Sequence, residues 1–258
     1  MTSVSALDRT RHRVRGRFSE LLRVEGRLAL REPYGLAGLG FPVVLLVLFW
    51  YIGVLSPGGV ANTGLTVLDL YIPTILVVGY ILLALIGLPV TFARDREIGW
   101  LRRISTTPVP PSSLLAAQLV LNAIIAGVAT AIVIIAGAVL FGAPLSVGIE
   151  FVGIAILAIA EMFSLGLVVA ALAPSQIAAQ YGAGALAFPL FFLSGLWVQP
   201  AQVGGPLETI MYFSPGGAAV RALLYSVFNT TPPYTTVVTM AVYTVIFALV
   251  AVRYFRWE

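Results

Sequence analysis

The side-chain types that most often carry catalysis are nearly absent from this sequence. It contains no Cys, and its single His, His12, lies in an Arg-rich N-terminal segment. These facts exclude thiolate metal sites, Cys nucleophiles, His-based zinc sites and Ser–His triads. The chain also has no Lys, because all 15 of its Lys and Arg positions are Arg. A phosphate-binding P-loop needs Gly-Lys-Ser/Thr, so the chain does not hydrolyse ATP by that route.

The segment Arg94–Ser113, RDREIGWLRRISTTPVPPSS, mixes four Arg and two acidic residues with apolar side chains. A helix over Arg94–Ile104 would place Ile98, Leu101 and Arg102 on one surface. The segment therefore predicts a short amphipathic helix near the membrane, followed by a rigid exit at Pro108, Pro110 and Pro111. An ordinary basic loop that only sets topology is the alternative interpretation.

One acidic residue, Glu161, interrupts an otherwise apolar stretch. A charge at the centre of a bilayer costs at least a few kcal/mol, so Glu161 is expected to face the protein interior. It either contacts a substrate path or a subunit interface, or is protonated or paired with a neighbouring helix. Glu208 and Arg221 both fall on the outer side of the membrane and could therefore form an ion pair.

The amino-acid composition indicates whether the surface of the protein faces water or lipid. Of the 258 residues, 59% are hydrophobic and 10% are charged, whereas soluble domains carry roughly 25% charged residues. Mean hydropathy is +0.99. This excludes a soluble enzyme and a nucleic-acid-binding domain, and it predicts an all-α integral membrane protein.

A spanning helix needs about 20 mostly apolar residues, and the uncharged stretches give six. The predicted spans are Leu36–Leu55, Leu70–Phe92, Leu114–Phe141, Phe151–Leu172, Ile177–Val198 and Tyr234–Phe255. They form one transmembrane domain, 36–258, after a cytoplasmic leader, 1–35. In the leader, Phe18–Arg31 is amphipathic and predicts an interfacial helix, with a solvated helix as the alternative. Pro33 is expected to end it.

The Arg distribution supports an even number of spans. With six spans, 14 of the 15 Arg fall on one side and only Arg221 falls on the other. The positive-inside bias makes that side the cytoplasm, with both termini there. The least distinct boundary is Ala173–Gln176, but a single helix over Phe151–Val198 would measure about 72 Å. A turn is therefore required there.

The segment Phe188–Tyr225 is too apolar for a free loop and too interrupted by Pro and Gly for a span. It predicts re-entrant or interfacial helices on the outer side. Ser214 is expected to cap one of them, with Pro215 at its first position.

Several of these motifs resemble the ABC-2 type transporter permeases. The stretch Arg96–Arg103, with Thr106-Thr107-Pro108 and Leu114-Leu115-Ala116, is similar to the signature loop of that family. Phe192–Gly195 and Ser214–Gly216 resemble its span five and outer re-entrant region. The likeness is greatest to small drug- and antibiotic-resistance exporters of the daunorubicin-resistance type.

The resemblance implies roles for particular residues. The loop would be a coupling helix that docks an ATP-binding subunit through Arg94, Asp95, Arg96, Glu97, Gly99, Trp100, Leu101, Arg102 and Arg103. Phe18–Arg31 would be the connecting helix beside that subunit. Spans two and five and the outer segment would line the dimer interface or substrate path through Tyr80, Glu161, Phe188, Phe192, Ser194 and Trp197.

The resemblance also implies partners and a location. Two ATP-binding subunits and a second permease copy, identical or paralogous, would assemble with the chain in the bacterial cytoplasmic membrane. The chain itself would bind no cofactor or metal, ATP–Mg would lie on the partner subunit, and neither enzymatic activity nor nucleic acid is expected. The assembly would export drugs, antibiotics or lipids.

Two other functions fit the composition. A proton-coupled secondary transporter would use Glu161 as its carrier group. Such transporters usually contain internal repeats, and residues 36–141 and 151–255 are not convincingly similar. A structural or assembly factor of the membrane would need no energy source.

Overall fold

The computed structural model describes residues 33–55, 66–97 and 111–254. The leader helix predicted at Phe18–Arg31 lies outside the described residues. The helices are α1 Pro33–Leu55, α2 Val67–Ile81, α3 Leu88–Glu97, α4 Pro111–Phe141, α5 Ile149–Leu172, α6 Gln176–Leu193, α7 Pro200–Val203, α8 Gly205–Phe213, α9 Pro215–Val227 and α10 Tyr234–Tyr254. A π-helical turn, Leu82–Gly87, joins α2 to α3. The described part of α1 begins at Pro33, and whether a leader helix ends there stays a prediction.

Within the described ranges, five helical segments are long and apolar enough to cross a membrane. They are Val67–Glu97, Leu115–Phe141, Ile149–Leu172, Gln176–Leu193 and Tyr234–Tyr254, which correspond to predicted spans two to six. Predicted span one coincides with α1, where the apolar stretch Gly38–Val54 is shorter. The all-α membrane fold is confirmed.

The second span, α2 with α3, forms the centre of the helical bundle. Twelve of the fifteen α2 residues are buried, against α1, α4, α5 and α9. The π-helical turn precedes Pro89, which has no N–H to donate to the carbonyl of Leu85. This missing bond accounts for the widening of the helix at that point.

Small residues let the spans approach one another closely. A Cβ on Gly166 of α5 would overlap the backbone carbonyl of Ala84 in the π-helical turn. A Cβ on Gly79 would lie 2.8 Å from the ring of Pro42 in α1. The interior is therefore fixed around the second span by direct backbone contact.

The turn predicted between spans four and five is confirmed. Helix α5 ends at Leu172, and α6 begins after Ser175, whose Oγ accepts a 3.1 Å hydrogen bond from the Ala178 N–H. Ser175 is thus an N-cap that fixes the entry of α6. Pro174 between them cannot continue α5.

The fifth span ends five residues before the predicted end, Val198, so that boundary was wrong. The N–H of Gly195 bonds to the Phe192 carbonyl and that of Leu196 to the Phe191 carbonyl. This is the Schellman pattern, which needs a left-handed residue. Gly195 supplies it with φ of +81°, so α6 stops at Leu193.

The segment predicted to be re-entrant or interfacial consists of the short helices α7, α8 and α9. Ser214 caps α9 as expected, accepting a hydrogen bond from the Gly217 N–H, and Pro215 is its first residue. One face of α9 is buried against α5 and α10. That face comprises Ala218, Ala219, Ala222, Leu223 and Ser226.

Candidate functional site

The end of the second span is bonded to the turn between spans four and five. One Nη of Arg96 donates to the carbonyls of Ala170, at 2.6 Å, and Ala173, at 3.0 Å. The Glu97 carboxylate accepts a 2.8 Å hydrogen bond from the N–H of Gln176. We call these three bonds the Arg96–Glu97 clamp. It joins α3 to the end of α5 and the start of α6.

Local chemistry explains why Arg96 and Glu97 bind there. The last carbonyls of a helix have no partner within it, and Pro174 has no N–H to offer the carbonyl of Ala170. The Arg96 guanidinium supplies donors at the negative end of the α5 dipole. Glu97 supplies an acceptor at the positive end of the α6 dipole. Each charge therefore lies at the helix end that it stabilises.

Asp95 lies on the same turn and contacts neighbouring side chains. The Arg94 Nε is 3.8 Å from an Asp95 oxygen, and Gln118 of α4 donates a long hydrogen bond, 3.4 Å, to the other oxygen. Asp95 and Gln118 are both buried. The final turn of the second span is thus also connected to the third span.

These contacts place four of the nine predicted coupling residues at one end of the bundle. Arg94 to Glu97 form the last turn of α3 and do not begin a separate helix, so the predicted start at Arg94 was wrong. Gly99, Trp100, Leu101, Arg102 and Arg103 lie outside the described residues, and their role stays a prediction.

Tyr80 lies inside the bundle. Its hydroxyl is 2.7 Å from the Thr130 hydroxyl of α4, and Thr130 donates to the carbonyl of Ala126. Thr130 also lines an apolar groove of about 390 Å³ between α4 and α5. Tyr80 is therefore one side chain away from the groove, and its role in a substrate path or interface stays a prediction.

Glu161 is fully buried, as expected from its cost in lipid. Neither carboxyl oxygen has a hydrogen-bond partner among the residues that the structure describes. The Glu161 backbone carbonyl accepts from the Ser164 hydroxyl. A buried polar group without a partner is destabilising, which makes Glu161 a candidate for a functional role.

The remaining predicted path residues lie along α6 and just after it. Phe188 and Trp197 are 67% and 46% exposed, and their ring centroids are 4.7 Å apart. Phe192 is half-buried. Ser194 is buried and donates to the carbonyl of Leu190. Helix α6 thus presents an aromatic surface outside the bundle, whereas Ser194 faces α9.

A cavity of about 370 Å³ lies beside α9, and we call it the α9 pocket. Its lining includes Arg221, whose guanidinium carbon is 4.5 Å from the centroid of the Tyr212 ring. Among the described residues, Arg221 forms no ion pair with Glu208, so the predicted pairing is not found. Burial raises the pKa of the Tyr212 phenol above its usual value, and its hydroxyl stays neutral. Among the described residues, the lining is Leu70, Ser194, Gln199, Pro200, Ala201, Tyr212, Gly217, Val220, Arg221, Leu224, Tyr225, Phe228 and Thr230.

Sequence reasoning missed the partners in these sites. The carbonyls of Ala170 and Ala173 and the N–H of Gln176 are backbone groups, so residue type does not reveal them. Only Pro174 gives a signal, because it leaves a carbonyl without its usual donor. Tyr212 was also missed as the partner of Arg221, although the aromatic ring lies nine residues away on the neighbouring helix.

The apolar helices of the described residues define an integral membrane protein. The sequence description of the ABC-2 type transporter family matches residues 17–228. No curated protein matches the sequence. The chain belongs to the ABC-2 type transporter family, and it is therefore a membrane permease of an ABC transporter. Members work with a separate ATP-binding subunit.

Proposed function

We propose that the chain is the permease of an ATP-driven exporter for hydrophobic or amphiphilic compounds, such as drugs, antibiotics or lipids. It would take them from the cytoplasm or the inner leaflet of a bacterial cytoplasmic membrane. The one-sided Arg distribution supports cytoplasmic termini. The proposed exporter is of the drug- and antibiotic-resistance kind, similar to the daunorubicin-resistance type.

The proposed assembly contains two ATP-binding subunits and two permeases, identical or paralogous. ATP–Mg would bind to the partner subunits, since the chain has no Lys for a P-loop. Arg94 to Glu97, together with residues 98–104, would contact those subunits. The interfacial leader helix would lie beside them.

The observation that carries this proposal is the Arg96–Glu97 clamp. A coupling segment must pass a displacement from the ATP-binding subunit into the membrane-spanning helices. Hydrogen bonds from α3 to both α5 and α6 offer a short physical route for a rigid-body shift. On this proposal, spans two, four and five move together when ATP closes the partner subunits.

The substrate would pass along the exposed side of α6. Phe188 and Trp197 would contact apolar compounds, or the second permease, and Phe192 and Ser194 would continue the path towards α9. An aromatic surface binds varied apolar molecules without a fixed hydrogen-bonding pattern, which suits a broad specificity.

The test is transport by the complete complex in proteoliposomes that contain a fluorescent amphiphilic dye. The proposal expects dye movement that requires ATP, stops with vanadate and persists with a protonophore. Transport that stops with the protonophore and continues with vanadate would contradict it.

A second candidate function is proton-coupled transport through Glu161. Complete burial and the absence of a hydrogen-bond partner among the described residues support it. The same transport assay separates the two functions. Under this alternative, Glu161→Gln would abolish pH-driven uptake, whereas the ABC proposal expects no pH-driven uptake in either protein.

A further inference from the structure

The α9 pocket combines a mostly apolar lining with a charged side chain, Arg221. Its wall on α9 comprises Gly217, Val220, Arg221, Leu224 and Tyr225, which follow helical spacing and lie on one face. Most of the lining is apolar, and among the residues that the structure describes Arg221 supplies the one ionic side chain. A cavity of about 370 Å³ also falls within the roughly 300–1,000 Å³ typical of ligand sites.

Arg221 has unused hydrogen-bonding capacity. In the described part of the chain, its guanidinium makes no ion pair or hydrogen bond, and its carbon lies over the Tyr212 ring. A cation–π contact does not use all five N–H donors of a guanidinium. A planar fork of such donors suits a carboxylate or a phosphate.

The sequence gives an independent reason to assign a role to Arg221. It is the only one of 15 Arg that the topology puts on the outer side, against the bias that retains Arg in the cytoplasm. It is also half-buried, where a guanidinium without a counter-ion is poorly solvated. An anionic ligand would provide the missing counter-ion.

We propose that the α9 pocket binds an amphiphile with a single anionic headgroup. The headgroup would face Arg221, and the hydrocarbon chain would contact Leu70, Val220 and Leu224. Two polar side chains of the lining already have partners, because Tyr212 bonds to Glu208 and Gln199 to Tyr71. Arg221 is therefore the residue on which headgroup binding depends. This inference deepens the proposed function. The ATPase measurement described below rests on that function, whereas the binding measurement does not.

Binding is tested on the full chain in phosphatidylcholine nanodiscs with a photoreactive dodecanoate. Labelled peptides should map to residues 194–230. Unlabelled dodecanoate should compete at least tenfold better than dodecylammonium of equal chain length, as expected if a charge-assisted hydrogen bond forms. Equal competition by the two, or labelling elsewhere only, would overturn the proposal.

Substitutions of Arg221 test whether this residue provides the preference for an anionic headgroup. Arg221→Gln should weaken dodecanoate competition about tenfold, whereas Arg221→Lys, which keeps the charge, should retain most of it. Arg253→Gln removes an exposed Arg from the last turn of α10, outside the α9 pocket, and should have no effect. If the Gln variant does not fold, the preference of the original protein for dodecanoate still decides the question. Unchanged binding in a folded Gln variant would overturn the assignment.

The complex with its ATP-binding subunit then distinguishes the two sources of such a ligand. A transported substrate should stimulate ATP hydrolysis with the same concentration dependence as the competition. A resident lipid should bind without stimulation. Both results support an anion-binding site in the α9 pocket. Absence of any ATPase activity in the complex would count against the proposed function, but it would not change the binding result.

Discussion

The Arg96–Glu97 clamp makes a quantitative prediction for Arg96→Ala. The substitution removes two charge-assisted hydrogen bonds, to the carbonyls of Ala170 and Ala173. Such bonds contribute about 1.5–3 kcal/mol each when shielded. Because Arg96 is half-exposed and water replaces part of its bonding, we expect a total loss of about 2 kcal/mol.

The assay is reversible unfolding of the chain in mixed micelles, with helicity followed against the fraction of sodium dodecyl sulfate. Arg253→Ala is the matched control, since it removes an exposed Arg from the last turn of α10. The control should change stability by less than about 0.5 kcal/mol. A loss for Arg96→Ala no greater than for Arg253→Ala would refute the stabilising role of the clamp.

A double-mutant cycle tests why Arg96 stabilises the chain. Pro174→Ala restores an N–H that can reach the Ala170 carbonyl from within the helix. In that background, Arg96→Ala should cost about 1 kcal/mol less than in the original chain. Strict additivity of the two substitutions would show that the missing N–H of Pro174 is not what Arg96 compensates.

Other predictions concern the buried interior. Glu161→Met should stabilise the chain by about 1–3 kcal/mol, because it removes unpaired buried oxygens, and a lower midpoint in detergent unfolding would contradict this. Gly166→Ala should cost about 2 kcal/mol or more in the same assay by forcing α5 away from the second span, whereas Gly153→Ala, which faces open space in the same helix, should be neutral. Tyr80→Phe should cost about 1 kcal/mol through its bond to Thr130, and a loss of the same size in a Thr130→Val background would exclude that bond.

The long elements could be predicted from sequence because they depend on local composition. Uncharged stretches located the spans, and Ser214-Pro215 located the start of α9. The turn at Pro174 followed from length alone, since one helix would have exceeded the bilayer. These features need no knowledge of which helices are neighbours.

The remaining features depend on neighbours and could not be predicted in the same way. Arg96 was predicted to be a coupling residue, and that role stays a prediction. Its bonds to backbone carbonyls could not be predicted, because these partners are more than seventy residues away in the sequence. The early end of α6 depends on a left-handed Gly195, and apolar composition continues past it to Val198. Arg221 was recognised as unusual in topology, yet it stacks on Tyr212 instead of pairing with Glu208.

The coupling function of the clamp is tested by measuring transport and ATP hydrolysis together. Glu97→Ala and Arg102→Ala should lower transport per ATP hydrolysed while leaving the chain folded. Arg96→Ala should do so as well at a temperature where it stays folded. Unchanged ratios in Glu97→Ala and Arg102→Ala would contradict the assignment of this segment to coupling.

The most direct test of the central claim is co-purification of the chain from native membranes in a mild detergent, with ATPase measured on the product. We expect a stoichiometric subunit that contains a P-loop, vanadate-sensitive ATPase, and loss of that subunit when residues 94–103 are replaced. Recovery of the chain alone and without ATPase, under conditions that preserve known membrane complexes, would contradict its role as an ABC permease.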